Sequence, residues 1–317
     1  MRNYYRLLNE GYIDFISVAD IDVSKKNLAD RFGIPFYKDY IKMISKCDLD
    51  AVSIAVPTKL HYEVSVNVFK YGVNALIEKP ITYDLDSAYK LAEEAKRYNV
   101  KVMVGHIERF NPAVSKVREL MEDGILGEIL ALDAKRLGGP RLRECGVILD
   151  LAIHDIDVFK YLLSKKPKFI YASACKKIPE TNGEDYAVIT LKFDSDVIGR
   201  IEVSRVTPAK IRELSVTGMK SYVRMNYISQ DVELIENFLM VKRASWRDFQ
   251  EFISKFRPRR MKIEVVKEEP LYIELRSFIE ALEKNSEMPV SIYDAIDTLK
   301  IVYKAVESYK LNRVVSL

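Results

Sequence analysis

The sequence predicts an α/β chain in two parts: an N-terminal parallel sheet wound with crossover helices, and a C-terminal α+β part with a large, mostly antiparallel sheet. Three observations predict it. Short apolar runs at Phe15–Ala19, Ala51–Val56, Asn74–Ile77 and Lys101–Val104 alternate with longer helical stretches, the pattern of parallel strands covered on both faces. Beyond Asn111-Pro112 the period shortens to two. Ala187, Ile189, Leu191 and Phe193 face one way, and Val197, Gly199, Ile201 and Val203 continue after an Asp194-Ser195-Asp196 turn, as in a half-buried antiparallel hairpin. The length of 317 residues suits two domains, which we place at 1–107 and 108–317.

Taken in order, the chain opens with a helix, Arg2–Glu10, that leads into the strand Phe15–Ala19 and Asp20. Asp22 or Ser24 caps a helix through Phe32, closed by Gly33 with Pro35 beyond. A helix from His61 stops at Gly72, and Asp84 or Asp86 caps the next, through Tyr98. In the second part, Leu214–Met225 reads as further strand around Gly218, and helices close the chain over Leu271–Leu282 and Ile292–Tyr309. The basic run Arg257–Arg260 precedes Glu268-Glu269 and reads as a solvated loop.

Composition excludes several classes. Basic and acidic residues, 50 and 46, are interspersed and leave a formal charge of +4, so no field that recruits nucleic acid is expected. No apolar run long enough to cross a membrane occurs, and the N-terminus lacks the apolar core of a signal peptide. Cys47, Cys145 and Cys175 have no short paired spacing, against both a disulfide framework and a zinc site. A cytoplasmic protein with no metal is expected. Glutamine occurs only at Gln230 and Gln250 while Lys, Glu, Ile and Tyr are abundant, a bias of heat-adapted proteins.

The residues that carry chemistry stand at strand ends and on one helix. Asn74–Ile77 breaks at Glu78-Lys79-Pro80, which puts Lys79 at the carboxyl edge where open parallel sheets bind ligands. Asp150 and His154, four apart, share one face of a helix. An amine, a carboxylate and an imidazole suit removal of a hydroxyl proton while a hydride leaves the same carbon. The bland readings are a surface lysine, a core histidine and, for Asp20, a turn residue. Of the other two histidines, His61 and His106, structural or cofactor-positioning roles are expected.

A doubly wound dinucleotide domain begins with a strand, a Gly-x-Gly-x-x-Gly turn and a helix that receives the pyrophosphate. Here the first element is the helix, and Gly11 and Gly33 are isolated. Asp20 stands where an acidic residue bonds the adenosine ribose roughly 20 residues past the glycines, which places the turn just before Met1. The first strand of a Rossmann-like domain is therefore missing, and an in-frame glycine turn upstream of the Met1 codon is expected. Asp20 favours NAD over NADP, since its carboxylate repels a 2′-phosphate.

The motifs Pro57-Thr58-x-x-His61, Glu78-Lys79-Pro80, Gly105-His106-x-x-Arg109-Phe-Asn-Pro112 and Asp150-x-x-x-His154 follow one another in order, with Glu269-Pro270-Leu271, Pro289-Val290 and Ala295 near the end. In this order they resemble the Gfo/Idh/MocA family of nicotinamide-dependent sugar oxidoreductases. The resemblance implies NAD held by Asp20, Pro57, Thr58, His61, Glu78, Lys79 and His106. It also implies catalysis by Lys79, Asp150 and His154, and a homodimer or homotetramer built on the large sheet. Gly138–Arg143 leading to Asp150 resembles archaeal members taken to oxidise UDP-N-acetylglucosamine at C3. That narrower likeness implies a nucleotide-sugar substrate contacted by Lys79, Arg109, Arg141, Arg143 and Asp150, with Arg141 and Arg143 on its diphosphate. The alternatives are a dehydrogenase of a free sugar or inositol, a non-catalytic dinucleotide-binding co-regulator on the same fold, and an inactive truncated product.

Overall fold

The computed structural model describes residues 1–139, 145–236 and 258–317. They form two compact units. The first is Met1–Ile107 with Glu269–Lys300, and the second is Glu108–Glu268 with Ile301–Leu317. Among the described residues no helix is long and apolar enough to cross a membrane.

In the first unit, strands β1 (Val18–Ala19) and β2 (Phe36–Tyr37) pair in parallel, as do β3 (Ala51–Ile54), β4 (Asn74–Glu78) and β5 (Val102–Gly105) in the order β3-β4-β5. Ala75 and Ile77 of β4 and Met103 and Val104 of β5 are fully buried, which is why these runs carry apolar residues on both faces. The helices are α1 (Arg2–Asn9), α2 (Lys26–Arg31), α3 (Tyr40–Lys46), α4 (His61–Phe69) and α5 (Leu85–Arg97). Asp22 accepts from the Ser24 N–H at 3.0 Å and caps a short 3-10 turn ahead of α2, and Asp84 accepts from the Ser87 N–H at 2.8 Å and caps α5, each satisfying an orphan donor of its first turn. The first strand is shorter than the expected Phe15–Ala19, because pairing with β2 begins only at Val18, opposite Phe36, and Phe15 is left 49% exposed.

The expected span 108–317 for the second domain differs from the structure, since Glu269–Lys300 returns to the first unit. The cause is the outer edge of β5. Val104 N–H donates to the Val290 carbonyl at 3.2 Å, Met103 bridges Ser291, and the Lys101 ammonium donates to the Ser286 carbonyl at 2.9 Å. This segment carries helix α8 (Pro270–Glu283) and the start of α9 (Ile292–Leu311). Arg2 of α1 pairs with Glu269 at 2.7 Å, and the Arg6 guanidinium lies 3.7 Å above the Tyr272 ring.

The second unit holds a nine-stranded sheet. Its strands are β6 (Ile129–Leu137), β7 (Phe169–Cys175), β8 (Tyr186–Lys192), β9 (Ile198–Ser204), β10 (Ile211–Gly218), β11 (Ser221–Asn226), β12 (Val232–Glu236), β13 (Arg260–Ile263) and β14 (Val315–Ser316). Their order is β13-β12-β11-β10-β6-β9-β8-β7-β14, antiparallel throughout except for β6 beside β9. The hairpin read from the alternation is β8–β9, with Ile189 opposite Ile201 and a 3-10 turn over Asp194–Asp196. The basic run differs from the expected loop at Arg260, which opens β13 with its guanidinium exposed; Arg257 lies outside the described residues.

Helices α6 (Pro112–Glu122) and α7 (Ile153–Leu163) cover one face of this sheet through a core that includes Val117, Ile156, Phe159, Ile189 and Ile201. Gly199 lets α7 approach, because a Cβ there would lie 2.9 Å from the Phe159 ring. On the opposite register Leu130, Phe169, Tyr171 and Ile198 remain exposed.

Candidate active site

The carboxyl edge of the first unit gathers the residues that follow its parallel strands. Asp20 follows β1, and its Oδ1 accepts the Asp22 N–H at 2.8 Å, so one oxygen serves the turn that leads to α2. Pro57 and Thr58 follow β3 and start a 3-10 turn into α4, with the Leu60 N–H donating to the Pro57 carbonyl at 2.8 Å. His61 begins α4 and is 1% exposed. Its Nδ1 lies 2.9 Å from the Pro80 carbonyl and its Nε2 2.9 Å from the Val56 carbonyl. One ring therefore ties the loop after β3 to the loop after β4. This placement makes His61 a brace between two loops, with both nitrogens directed at main-chain oxygens rather than outward to a ligand.

Glu78 is the last residue of β4, and Lys79 follows, half-buried, before a cis peptide bond to Pro80. Burial pushes the Glu78 carboxyl up, against the opposing pull of the Lys79 charge, the Lys79 N–H and His61. His106 follows β5 and is buried, its N–H donating to the Val104 carbonyl at 2.8 Å. Lys79 thus sits on a loop whose flanks are fixed by main-chain contacts.

In the second unit Asp150 and His154 do not share a simple α-helix. Asp150 lies in a π-helical turn, Ile148–Ala152, and His154 in the first turn of α7 that continues it. Glu184 draws the entering backbone toward itself: the Ile148 N–H donates to its Oε1 at 2.8 Å and the Val147 N–H to its carbonyl at 2.9 Å. Gly146 permits this approach, since a Cβ there would stand 2.2 Å from the Glu184 carboxylate. π-helical turns of this kind occur frequently at functional sites.

Three aspartates along 150–157 are each held by an arginine. Arg136 donates to both oxygens of Asp155 at 2.9 and 3.1 Å and to Glu108 at 2.9 Å, all three side chains largely buried. Arg109 holds both oxygens of Asp157 at 2.7 Å. Arg205 donates to Asp150 Oδ2 at 3.3 Å and to the Cys145 carbonyl at 2.8 Å. Asp185, beside Arg205, accepts from the Lys177 and Ile178 N–H groups and the Thr181 hydroxyl, each at 2.7 Å. Burial pushes its carboxyl up, but these bonds and the Arg205 charge outweigh burial and hold it below the usual carboxylate range.

The structure corrects one expected substrate contact. Arg109 is only 9% exposed and directs its fork at Asp157, so it anchors α7 rather than reaching for the substrate. Arg141 and Arg143 lie outside the described residues. Arg205, Arg136 and Glu184 were not singled out from the sequence. The first two had a legible signal: Leu132, Ala134 and Arg136 on β6, and Ile201 and Val203 of β9 with Arg205 just past its end, place an arginine on the core-facing phase, and a buried arginine requires a carboxylate.

Comparison with known proteins agrees with this architecture. Residues 3–106 match the profile of the oxidoreductase family with an NAD-binding Rossmann fold, and residues 114–224 match the GFO/IDH/MocA C-terminal domain. The chain is 29% identical to UDP-N-acetylglucosamine 3-dehydrogenase of Acidithiobacillus ferrooxidans over 59% of its own length and 58% of that enzyme's, little more than half of either. It is 24% identical to myo-inositol 2-dehydrogenase of Thermotoga maritima over 95% of its length and 90% of that enzyme's. The solved structure of levoglucosan dehydrogenase with NADH and levoglucosan shares the fold, with a TM-score of 0.83 at 20% identity over 99% of this chain and 94% of that one. With both domain profiles matched in order, the chain belongs to the Gfo/Idh/MocA family of oxidoreductases, whose N-terminal domain is an NAD-binding Rossmann fold.

Proposed function

We propose that the protein is an NAD-dependent dehydrogenase of a secondary ring hydroxyl, with UDP-N-acetylglucosamine oxidised at C3 as the leading substrate. The observation that carries the reading is the Asp150–His154 segment, a carboxylate held by a buried arginine one helical turn before a half-buried imidazole. A cofactor of this kind finds part of its site here. Thr58, Lys79 and His106 follow the three adjacent parallel strands β3, β4 and β5, and Asp20 follows β1, at the edge where such sheets bind dinucleotides. The 317 residues contain no Gly-x-Gly-x-x-Gly, and Gly11 and Gly33 close α1 and α2 with φ of +79° and +66°.

When bound, nicotinamide supplies the hydride acceptor. His154 takes the hydroxyl proton, an imidazole being suited to this near neutral pH. The Lys79 ammonium donates a hydrogen bond to the same oxygen and stabilises the charge that develops as the proton leaves. Asp150 accepts from a neighbouring ring hydroxyl and orients the carbon that is oxidised. The likeness to the Acidithiobacillus enzyme supports the nucleotide sugar. A free inositol is the second reading, favoured by the Thermotoga likeness, which runs over nearly the whole chain. The outward-facing Leu130, Phe169, Tyr171 and Ile198 of the sheet support assembly as a homodimer or homotetramer, a mass that light scattering would give.

The test is a panel of UDP-N-acetylglucosamine, UDP-glucose, myo-inositol and scyllo-inositol with NAD, read by NADH formation. Turnover of the first and not the inositols is expected, with Lys79→Met lowering it about 100-fold or more. Oxidation of inositols alone selects the second reading. NADH binding without turnover of any ring alcohol overturns both and leaves a dinucleotide-sensing co-regulator.

A further inference from the structure

Among the three arginine–aspartate pairs of the 150–157 segment, one is built differently. The Arg136–Asp155 and Arg109–Asp157 pairs are bidentate, and their carboxylates are 0% and 2% exposed. They fasten α7 to the core. Arg205 is equally buried, at 3% for its side chain, and donates to Asp150 Oδ2 at 3.3 Å, while Asp150 is 22% exposed. The carboxylate is charge-balanced from inside while part of it faces solvent. The second arm of the guanidinium takes the Cys145 carbonyl, and the Arg205 N–H donates to the Asp185 carbonyl at 2.9 Å.

We propose that Arg205 is the positioning residue for Asp150 and for the π-helical turn that leads to His154. It fixes the turn at Cys145 and Asp150, while Glu184 fixes it at Val147 and Ile148. A carboxylate that orients a substrate hydroxyl must hold one rotamer, and a charged hydrogen bond from a rigid, planar donor group supplies that constraint. Lysine, a single flexible donor, cannot serve Asp150 and the Cys145 carbonyl in the same fixed fork. The inference rests on the reading of Asp150 as a substrate-orienting group.

The test compares Arg205→Met, Arg205→Lys, Asp150→Asn and the Arg205→Met/Asp150→Asn double variant, for kcat, KM and amide exchange over 145–153. Arg205→Met is expected to lower kcat about 10- to 100-fold, the size of a lost charged hydrogen bond, with KM for NAD unchanged. The double variant should be no slower than Asp150→Asn alone, because both changes remove one interaction. Exchange over 145–153 should accelerate in Arg205→Met and less in Arg205→Lys, a readout that needs no turnover and is available from Arg205→Lys if the methionine variant does not fold. Full kcat in Arg205→Met, or losses that multiply in the double variant, would overturn the proposal. Full kcat in Asp150→Asn would instead remove the functional reading of Asp150, and exchange alone would then decide whether Arg205 holds the turn.

Discussion

Lys79 and His154 are held in place by different physics. The Lys79 loop is braced through contacts to main-chain oxygens, above all the His61 ring set between the carbonyls of Val56 and Pro80. The His154 helix is braced by charge, with Asp150, Asp155 and Asp157 each facing an arginine. The difference teaches where each half is fragile. Cutting the His61 brace loses hydrogen bonding to main-chain oxygens, whereas cutting a buried ion pair leaves a carboxylate with no counter-charge in a low-dielectric core.

The largest effect should follow from removing Arg136, which serves both Asp155 and Glu108. Arg136→Met is expected to cost about 3–5 kcal/mol in urea unfolding; a loss below about 1 kcal/mol would show that the charged brace is no stronger than a surface pair. His61→Leu removes the main-chain brace and should cost about 1–3 kcal/mol, with Lys79-dependent turnover falling as the loop loosens. An equal loss in the two variants would erase the contrast between the halves.

The pH dependence sharpens the same contrast with opposite signs. Glu78, pushed up by burial from 4.5, binds its proton more tightly in the fold, so stability falls as pH rises through the window above 4.5. Glu78→Gln should therefore raise Tm at neutral pH and leave it unchanged below that window. Asp185 is held below 3.8 by hydrogen bonds and the Arg205 charge that outweigh its burial. Its stabilisation is complete above 3.8 and is lost as pH falls through its lowered value in the fold. Asp185→Asn should lower Tm at neutral pH, with the difference from wild type closing in strong acid. Matching slopes in the two variants would contradict these assignments. The smallest effect is local: Asp84→Ala removes the α5 cap and should cost about 1 kcal/mol, without touching either half-site.

How much of this was legible in the sequence depends on the range of the interaction. The β8–β9 hairpin and the buried strands β4 and β5 were readable because burial writes its period directly into neighbouring residues. The return of Glu269–Lys300 to the first unit was not, because it depends on the distant edge of β5. The setting of the π-helical turn was hidden for a similar reason, since the Glu184 bonds that hold its start come from a loop far along the chain. Among the candidate residues, Lys79, Asp150 and His154 stand out by residue type and by the order of their motifs. Arg136 and Arg205 are written in the strand phase, but their carboxylates, Asp155 and Asp150, lie 19 and 55 residues away, beyond the reach of a local pattern. Arg109 misled for the converse reason: its motif suggested a ligand, and its partner Asp157 lies 48 residues away.

The central claim is that His154 takes the substrate proton. The measurement that tests it most directly is NADH formation by His154→Ala beside wild type on the same ring alcohol, with NADH affinity followed in parallel by nicotinamide fluorescence. The account predicts turnover lower by about 10²- to 10⁴-fold with NADH affinity unchanged. Equal turnover in the two proteins would contradict it.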